Sequence, residues 1–199
     1  MGWNMELTKR QEDIIKAAIS LIARRGYIAL TTKNLARELK LTEAALYRHF
    51  ASKNELIVRI LDYFECISCQ VLKDIKDAGL SPLESVERFV TDRYEMFSRR
   101  PDLAQVMFSD ELFRYDPGFS SHMQGIMQIH REALLGYLRQ ARKQGLIDPQ
   151  ADPAQLFRII VGSMRFTITQ WNLSGQAFDL SSEGQKLLKT IKKLIEVKK

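Results

Sequence analysis

Apolar residues in this chain recur every three or four positions, and no stretch keeps the two-residue alternation of a half-buried strand. The first such run carries Ile14, Ile15, Ala18, Leu21 and Ile22. Ahead of it stands Thr8-x-x-Gln11, a pair whose side chains can satisfy each other's orphaned backbone N–H groups. Arg24 and Arg25 suit the negative end of that helix, and Gly26 takes the position just beyond it. Thr31-Thr32 caps a second helix to about Leu39, with Leu35, Ala36 and Leu39 inside and Lys33, Arg37 and Lys40 as an outward basic stripe. Thr42 opens a third. At about 100° per residue, Ala45, Leu46 and Phe50 share its inner face, and Glu43, Ala44, Tyr47 and Arg48 share the outer one. Ser52-x-x-Glu55 is a second reciprocal cap, and its helix should run to about Asp77 with Leu56, Ile60, Phe64, Ile67, Val71 and Ile75 inside.

Helical spacing continues to the end. Ser81-Pro82-x-Glu84 opens a helix through Val86, Phe89, Val90, Tyr94 and Phe97, which breaks at Arg99-Arg100-Pro101. A short helix is expected from about Asp102 to Phe113, a long one from Asp116-Pro117 to Gly145, and another from Asp152-Pro153 to about Asn172. The last follows Gly175, with Leu187, Leu188, Ile191, Leu194 and Ile195 on one side and Lys186, Lys189, Lys192 and Lys193 on the other. The expected fold is all-α, with about nine helices. Residues 1–54 form an N-terminal three-helix unit, and residues 55–199 a helical body.

Charge sharpens this division. Residues 1–56 hold 10 Lys/Arg against 6 Asp/Glu, residues 57–185 hold 14 against 17, and the tail from Lys186 holds 6 against 1. A basic head on a slightly acidic body suits a polyanion-contacting end and a body kept away from phosphates. No apolar run reaches the ~18 residues of a membrane span, and the start lacks the apolar core of a secretory leader. Two cysteines, Cys66 and Cys69, are too few for a disulfide scaffold and fit a reducing cytoplasm.

The second and third helices, separated by a short turn, have the layout of a helix-turn-helix, whose second helix enters the major groove of DNA. A small residue flanked by Tyr, Arg and Glu suits close approach to base edges. The N-terminal segment resembles the TetR family of bacterial transcriptional regulators in several motifs at fixed spacing. These are Gly26-Tyr27, Thr31-Thr32, Leu35-Ala36, Leu39-x-Leu41-Thr42, Ala45-Leu46-Tyr47-x-His49-Phe50 and Lys53-x-Glu55-Leu56. The resemblance implies a homodimer on a palindromic operator in double-stranded DNA, in the cytoplasm and associated with the nucleoid. By position it implies phosphate contacts from Thr32, Thr42, Tyr47, His49 and Lys53, with Lys33, Glu43, Ala44 and Arg48 nearest the bases. Lys40 departs from the pattern, because the family often has Gly in this turn; a left-handed Lys costs about 1 kcal/mol, unless the turn is shaped differently. Glu43, an acid near phosphates, can instead accept a hydrogen bond from cytosine N4.

For the body, the resemblance implies a small-molecule pocket among the middle helices and a four-helix bundle formed by the last two with a partner copy. Phe64, Met96, Met107, Phe108, Met127, His130 and Phe166 are the pocket candidates; Met and aromatic side chains suit an adaptable apolar cavity, and therefore a hydrophobic effector. Gly162, Ser163, Phe166, Thr167, Gln170, Leu187, Ile191 and Leu194 are the candidates for the dimer interface. Cys66-x-x-Cys69 falls short of the four ligands of a zinc site, with only His49, His122 and His130 to help, so no metal is expected, and a redox role stays open. No H-E-x-x-H, P-loop or G-x-S-x-G motif points to an enzyme or a cofactor. The leading expectation is a ligand-released repressor. The alternative is a DNA-binding protein of the same fold that acts through a protein partner, in division or chromosome organisation.

Overall fold

The computed structural model describes residues 7–197, apart from the side chains of Asp110 and Tyr115. Residues 1–6, on which the expectation about a secretory leader falls, and the final two lysines of the basic tail, Lys198 and Lys199, lie outside the described residues. The all-α expectation holds. The described residues form α1 (Lys9–Arg25), a 3-10 turn (Tyr27–Ala29), α2 (Thr32–Glu38), α3 (Glu43–Tyr47), α4 (Lys53–Asp77) and α5 (Pro82–Arg99). They continue with α6 (Pro101–Met107), α7 (Asp110–Tyr115), α8 (Pro117–Lys143), α9 (Pro153–Leu173) and α10 (Leu180–Ile195). The count exceeds the expected one because the segment near residues 102–113 is two helices. The chain leaves α6 at Phe108, and the Ser109 hydroxyl accepts the Leu112 N–H at 3.4 Å to start α7.

Caps decide most of the boundaries. In α1 the Thr8 hydroxyl accepts Gln11 N–H at 3.3 Å, while the Gln11 amide oxygen accepts Thr8 N–H at 3.0 Å. In α5 the Ser81 N–H donates to Glu84 at 2.9 Å, and Pro82 sits where its missing N–H costs nothing. The Ser52–Glu55 pair is looser than a reciprocal box. Ser52 accepts Glu55 N–H at 3.0 Å, but the Glu55 carboxylate takes the N–H of Ala51, at 2.7 Å.

The chain divides into two compact units, residues 1–69 with 102–126, and residues 70–101 with 127–199. In the first, α1 packs on the 3-10 turn and α2, and α2 packs on α3. Its interior is apolar, with Ile14, Leu21, Leu35, Ile57 and Leu61 fully enclosed, and the 102–126 segment adds the buried side chains of Val106, Leu112 and Phe119. In the second unit, α5, α9 and α10 pack against one another. Gly184 of α10 lies directly on the Tyr94 ring, where a Cβ would overlap the ring carbons. Trp171 closes the end of α9 by donating to the Phe178 carbonyl at 2.9 Å. The second unit also buries a charge: Arg93 is 1% exposed among Phe89, Val90 and Phe97.

Candidate nucleic-acid interface

Local caps and short ties place the α2–α3 corner. Thr31 accepts Asn34 N–H at 3.1 Å, and Thr42 accepts Ala45 N–H at 3.1 Å, so each helix begins on a hydroxyl. Asn34 donates to the Ala29 carbonyl at 2.9 Å and anchors α2 to the 3-10 turn. Arg24 of α1 pairs with Glu38 of α2 and holds the Glu38 carboxyl below the usual carboxylate range. The turn into α3 closes with Leu41 N–H on the Ala36 carbonyl at 2.8 Å and Lys40 N–H on Arg37 at 3.3 Å. Lys40 has φ of +53°, so the turn keeps the left-handed shape that favours glycine, and a lysine bears it.

Leu46 and Phe50, at 3% and 4% exposure, pin α3 from behind, and the one cavity described beside them, bounded by α2, α3 and the start of α4, holds only about 20 Å³. A helix backed this tightly presents its outer side chains in fixed positions. Glu43, Ala44, Tyr47 and Arg48 are all exposed, as are Lys33 and Thr42, while Thr32, His49 and Lys53 are half-buried.

Two of these side chains are engaged by protein. The Thr32 hydroxyl donates to the Glu43 carboxylate at 2.6 Å, clasping α2 to α3. The Lys53 ammonium donates to the Tyr27 carbonyl at 2.9 Å and sits 3.6 Å above the Tyr27 ring. Burial pushes its pKa down, and the Glu111 charge opposes that shift. Neither contact has a local sequence signal, because each joins residues that no helical repeat relates.

The pocket candidates fall into both units. Phe64 and Met107 are buried and Phe108 half-buried in the first. In the second, Met96 is buried and His130 half-buried, but Met127 and Phe166 face outward at 42% and 68% exposure. The His130 ring meets Phe89 edge-on at 5.0 Å between centroids. Burial, reinforced by the Arg93 charge, lowers its pKa to about 3, so the imidazole is neutral. Sequence reasoning missed Arg93, which Asp92 partners at 2.5 Å. The signal was present: Arg93 lies three residues after Val90 and four before Phe97, on the apolar stripe itself.

Of the interface candidates, Gly162, Phe166 and Gln170 are exposed on α9, and Leu194 is 79% exposed on α10. Ile159 and Leu173, at 54% and 85%, extend the same α9 face. Ser163 and Leu187 are half-buried, whereas Thr167 and Ile191 are buried within their own unit. The Thr167 hydroxyl donates to the Ser163 carbonyl at 2.9 Å.

Among the described residues, a five-residue helix pinned from behind, with Tyr, Arg and Glu outward on it, follows α2 across a short turn, which is the layout of a helix-turn-helix. Residues 14–60 match the bacterial regulatory proteins of the tetR family. The nucleoid occlusion factor SlmA of Marinobacter nauticus is 30% identical over 141 residues, 69% of this chain and 69% of that protein. The transcriptional repressor KstR2 of Mycobacterium tuberculosis is 24% identical over 92% of this chain and 91% of its own length. Its structure superposes with a TM-score of 0.83 at 22% identity, over 97% of this chain and 98% of that one. The regulator FadR of Bacillus subtilis, solved with stearoyl-CoA, superposes at 0.76 and 19% identity, over 92% and 97%. The chain spans about half the length of another relative, the regulator YerO of Bacillus subtilis, matching 65% of this chain and 47% of that protein at 25% identity. The chain belongs to the TetR family of bacterial transcriptional regulators.

Proposed function

We propose that the chain is a homodimeric repressor which a small hydrophobic ligand releases from a palindromic operator. In this reading residues 1–54 are the DNA-binding domain and residues 55–199 the ligand-binding and dimerisation domain, working in the cytoplasm on the nucleoid. The observation that carries it is the outer face of α3, where Glu43, Ala44, Tyr47 and Arg48 are exposed over a buried Leu46 and Phe50. Tyr47, Thr42 and His49 contact phosphates, together with Thr32 and Lys53 once these leave their present partners. Arg48, Lys33, Ala44 and Glu43 face the bases.

Dimerisation is supported by the outward apolar side chains Ile159, Phe166, Leu173 and Leu194, which water solvates poorly. With them Gly162, Ser163, Gln170 and Leu187 form the proposed contact. A hydrophobic effector is supported by the apolar side chains of Phe64, Met96, Met107 and Phe108, and by the acyl-CoA ligand of FadR. A second reading, in which a protein partner takes the place of the ligand, is favoured by the 30% identity to a nucleoid occlusion factor.

A mobility shift on DNA flanking the gene, run as a salt series, tests the reading. Salt-sensitive binding to one palindrome, reversed by an acyl-CoA or a steroid, is expected. Binding to no palindrome would sink both readings, and binding that no small molecule reverses would favour the second.

A further inference from the structure

We propose that Asp62, Glu65 and His122 form a site for one divalent transition-metal ion, held between α4 and α8 in the first unit. Among the described residues, this is the group of His, Cys, Asp and Glu side chains whose donor atoms converge, all lying within 4.8 Å of one another. Asp62 and Glu65 stand three residues apart on one face of α4, and α8 brings His122 from 57 positions beyond Glu65. The inference is independent of the hydrophobic-effector reading.

The geometry makes this more than an acidic patch. Both carboxylates address a single atom, His122 Nε2, which lies 3.2 Å from Glu65 Oε2 and 3.5 Å from Asp62 Oδ1. An imidazole nitrogen offers either one proton or one lone pair. One N–H satisfies one carboxylate, and 3.5 Å is too long for a good bond to the other. Two carboxylate oxygens and a nitrogen therefore converge at a point where that nitrogen supplies a single proton at most. A divalent cation neutralises both carboxylates and accepts the nitrogen lone pair.

The surroundings suit such an ion. Asp62 turns its other oxygen, Oδ2, to Arg59 Nη1 at 3.3 Å, which fixes the carboxylate with Oδ1 inward, as outer partners orient metal ligands. The side chains of His122, Asp62 and Glu65 are 22%, 28% and 17% exposed, so solvent reaches the site and water can fill the remaining coordination positions. Tetrahedral ligands at about 2.0–2.2 Å from one ion lie about 3.3–3.6 Å apart. The two nitrogen–oxygen separations of 3.2 and 3.5 Å are close to that, and side-chain rotation closes the remaining oxygen–oxygen separation, which is within 4.8 Å. One imidazole with two carboxylates favours Zn²⁺, Co²⁺ or Mn²⁺ over the all-oxygen sites of Ca²⁺ and Mg²⁺. Cys66 and Cys69 share this stripe of α4, but burial, together with the charges of Glu65 and Cys66, pushes the Cys69 thiol pKa up, which disfavours the thiolate that would ligate.

The full-length protein, stripped with chelator and desalted, would be titrated calorimetrically with Zn²⁺ and Co²⁺. One ion per chain is expected, with Co²⁺ developing visible absorption. Glu65→Gln, Asp62→Asn and His122→Gln should each weaken binding about tenfold or more, and Cys66→Ser/Cys69→Ser should leave it unchanged. Circular dichroism identifies the folded variants. The proposal fails if the wild type binds no ion, which would leave a histidine–carboxylate pair. It also fails if binding follows the cysteines, or if every folded ligand variant retains full affinity.

Discussion

The two units treat charge in opposite ways. Among the described residues the first buries no charged side chain, only the Ser68 hydroxyl on the Phe64 carbonyl, and places its ions at the periphery, where Arg24–Glu38, Thr32–Glu43 and Lys53–Tyr27 tie one element to the next. The second buries Arg93 at 1% exposure and holds His130 neutral beside Phe89. A positioning device needs only close packing and a few external ties. A buried guanidinium is expensive unless a counter-charge and hydrogen bonds offset its desolvation, as Asp92 does for Arg93. The contrast is between a unit held by apolar packing with external ties and one that carries a charge in its interior.

At neutral pH the largest expected effect lies in the second unit's packing. Gly184→Ala drives a methyl into the Tyr94 ring, and thermal unfolding should show a loss of about 3 kcal/mol. If α10 shifts without loss, that unit is softer than the contrast requires.

Acid should strike the same unit next. His130 has a folded pKa of about 3 against 6.5 unfolded, so the unfolded chain binds the extra proton between those values. Stability from this group is complete above pH 6.5 and falls by up to about 1.4 kcal/mol per unit as pH drops towards 3. His130→Leu should flatten the acid limb of a stability–pH profile relative to wild type. Parallel limbs would show that His130 is not held neutral.

The first unit should answer in DNA binding rather than stability. Arg48→Ala is expected to weaken operator binding by about 1–3 kcal/mol and relax preference at one base pair. Tyr47→Ala should weaken binding to all sequences alike. Both side chains are exposed, so melting temperatures should hardly move. Equal, sequence-independent losses from the two would refute the division between base and phosphate contacts.

The smallest effect is a gain. Lys40→Gly relieves a left-handed φ of +53° and should stabilise the first unit by about 1 kcal/mol.

The sequence showed most clearly what local physics controls. Thr8–Gln11 and Ser81–Glu84 marked helix starts because both partners sit within one turn. The wheel of α3 separated buried Leu46 from exposed Tyr47 because a helix of fixed pitch allows no other arrangement. The break at Ser109 was missed because its neighbours continue the apolar spacing. Lys53 on Tyr27, and His122 against Glu65, were invisible because packing alone brings together residues so far apart in the chain. Arg93 was readable from its place on an apolar stripe, but sequence alone could not say that the charge stays buried.

The Thr32–Glu43 hydrogen bond carries one more consequence. At 2.6 Å the carboxylate already has a donor in the free protein, so under the proposed base contact a cytosine amino group arriving at the same oxygen would meet a competitor. The base does not enter an empty acceptor; it exchanges one partner for another, and only the difference between the two bonds contributes to discrimination. Thr32→Val would release that oxygen in advance, trading a firmer α2–α3 corner for a keener preference at a single base pair.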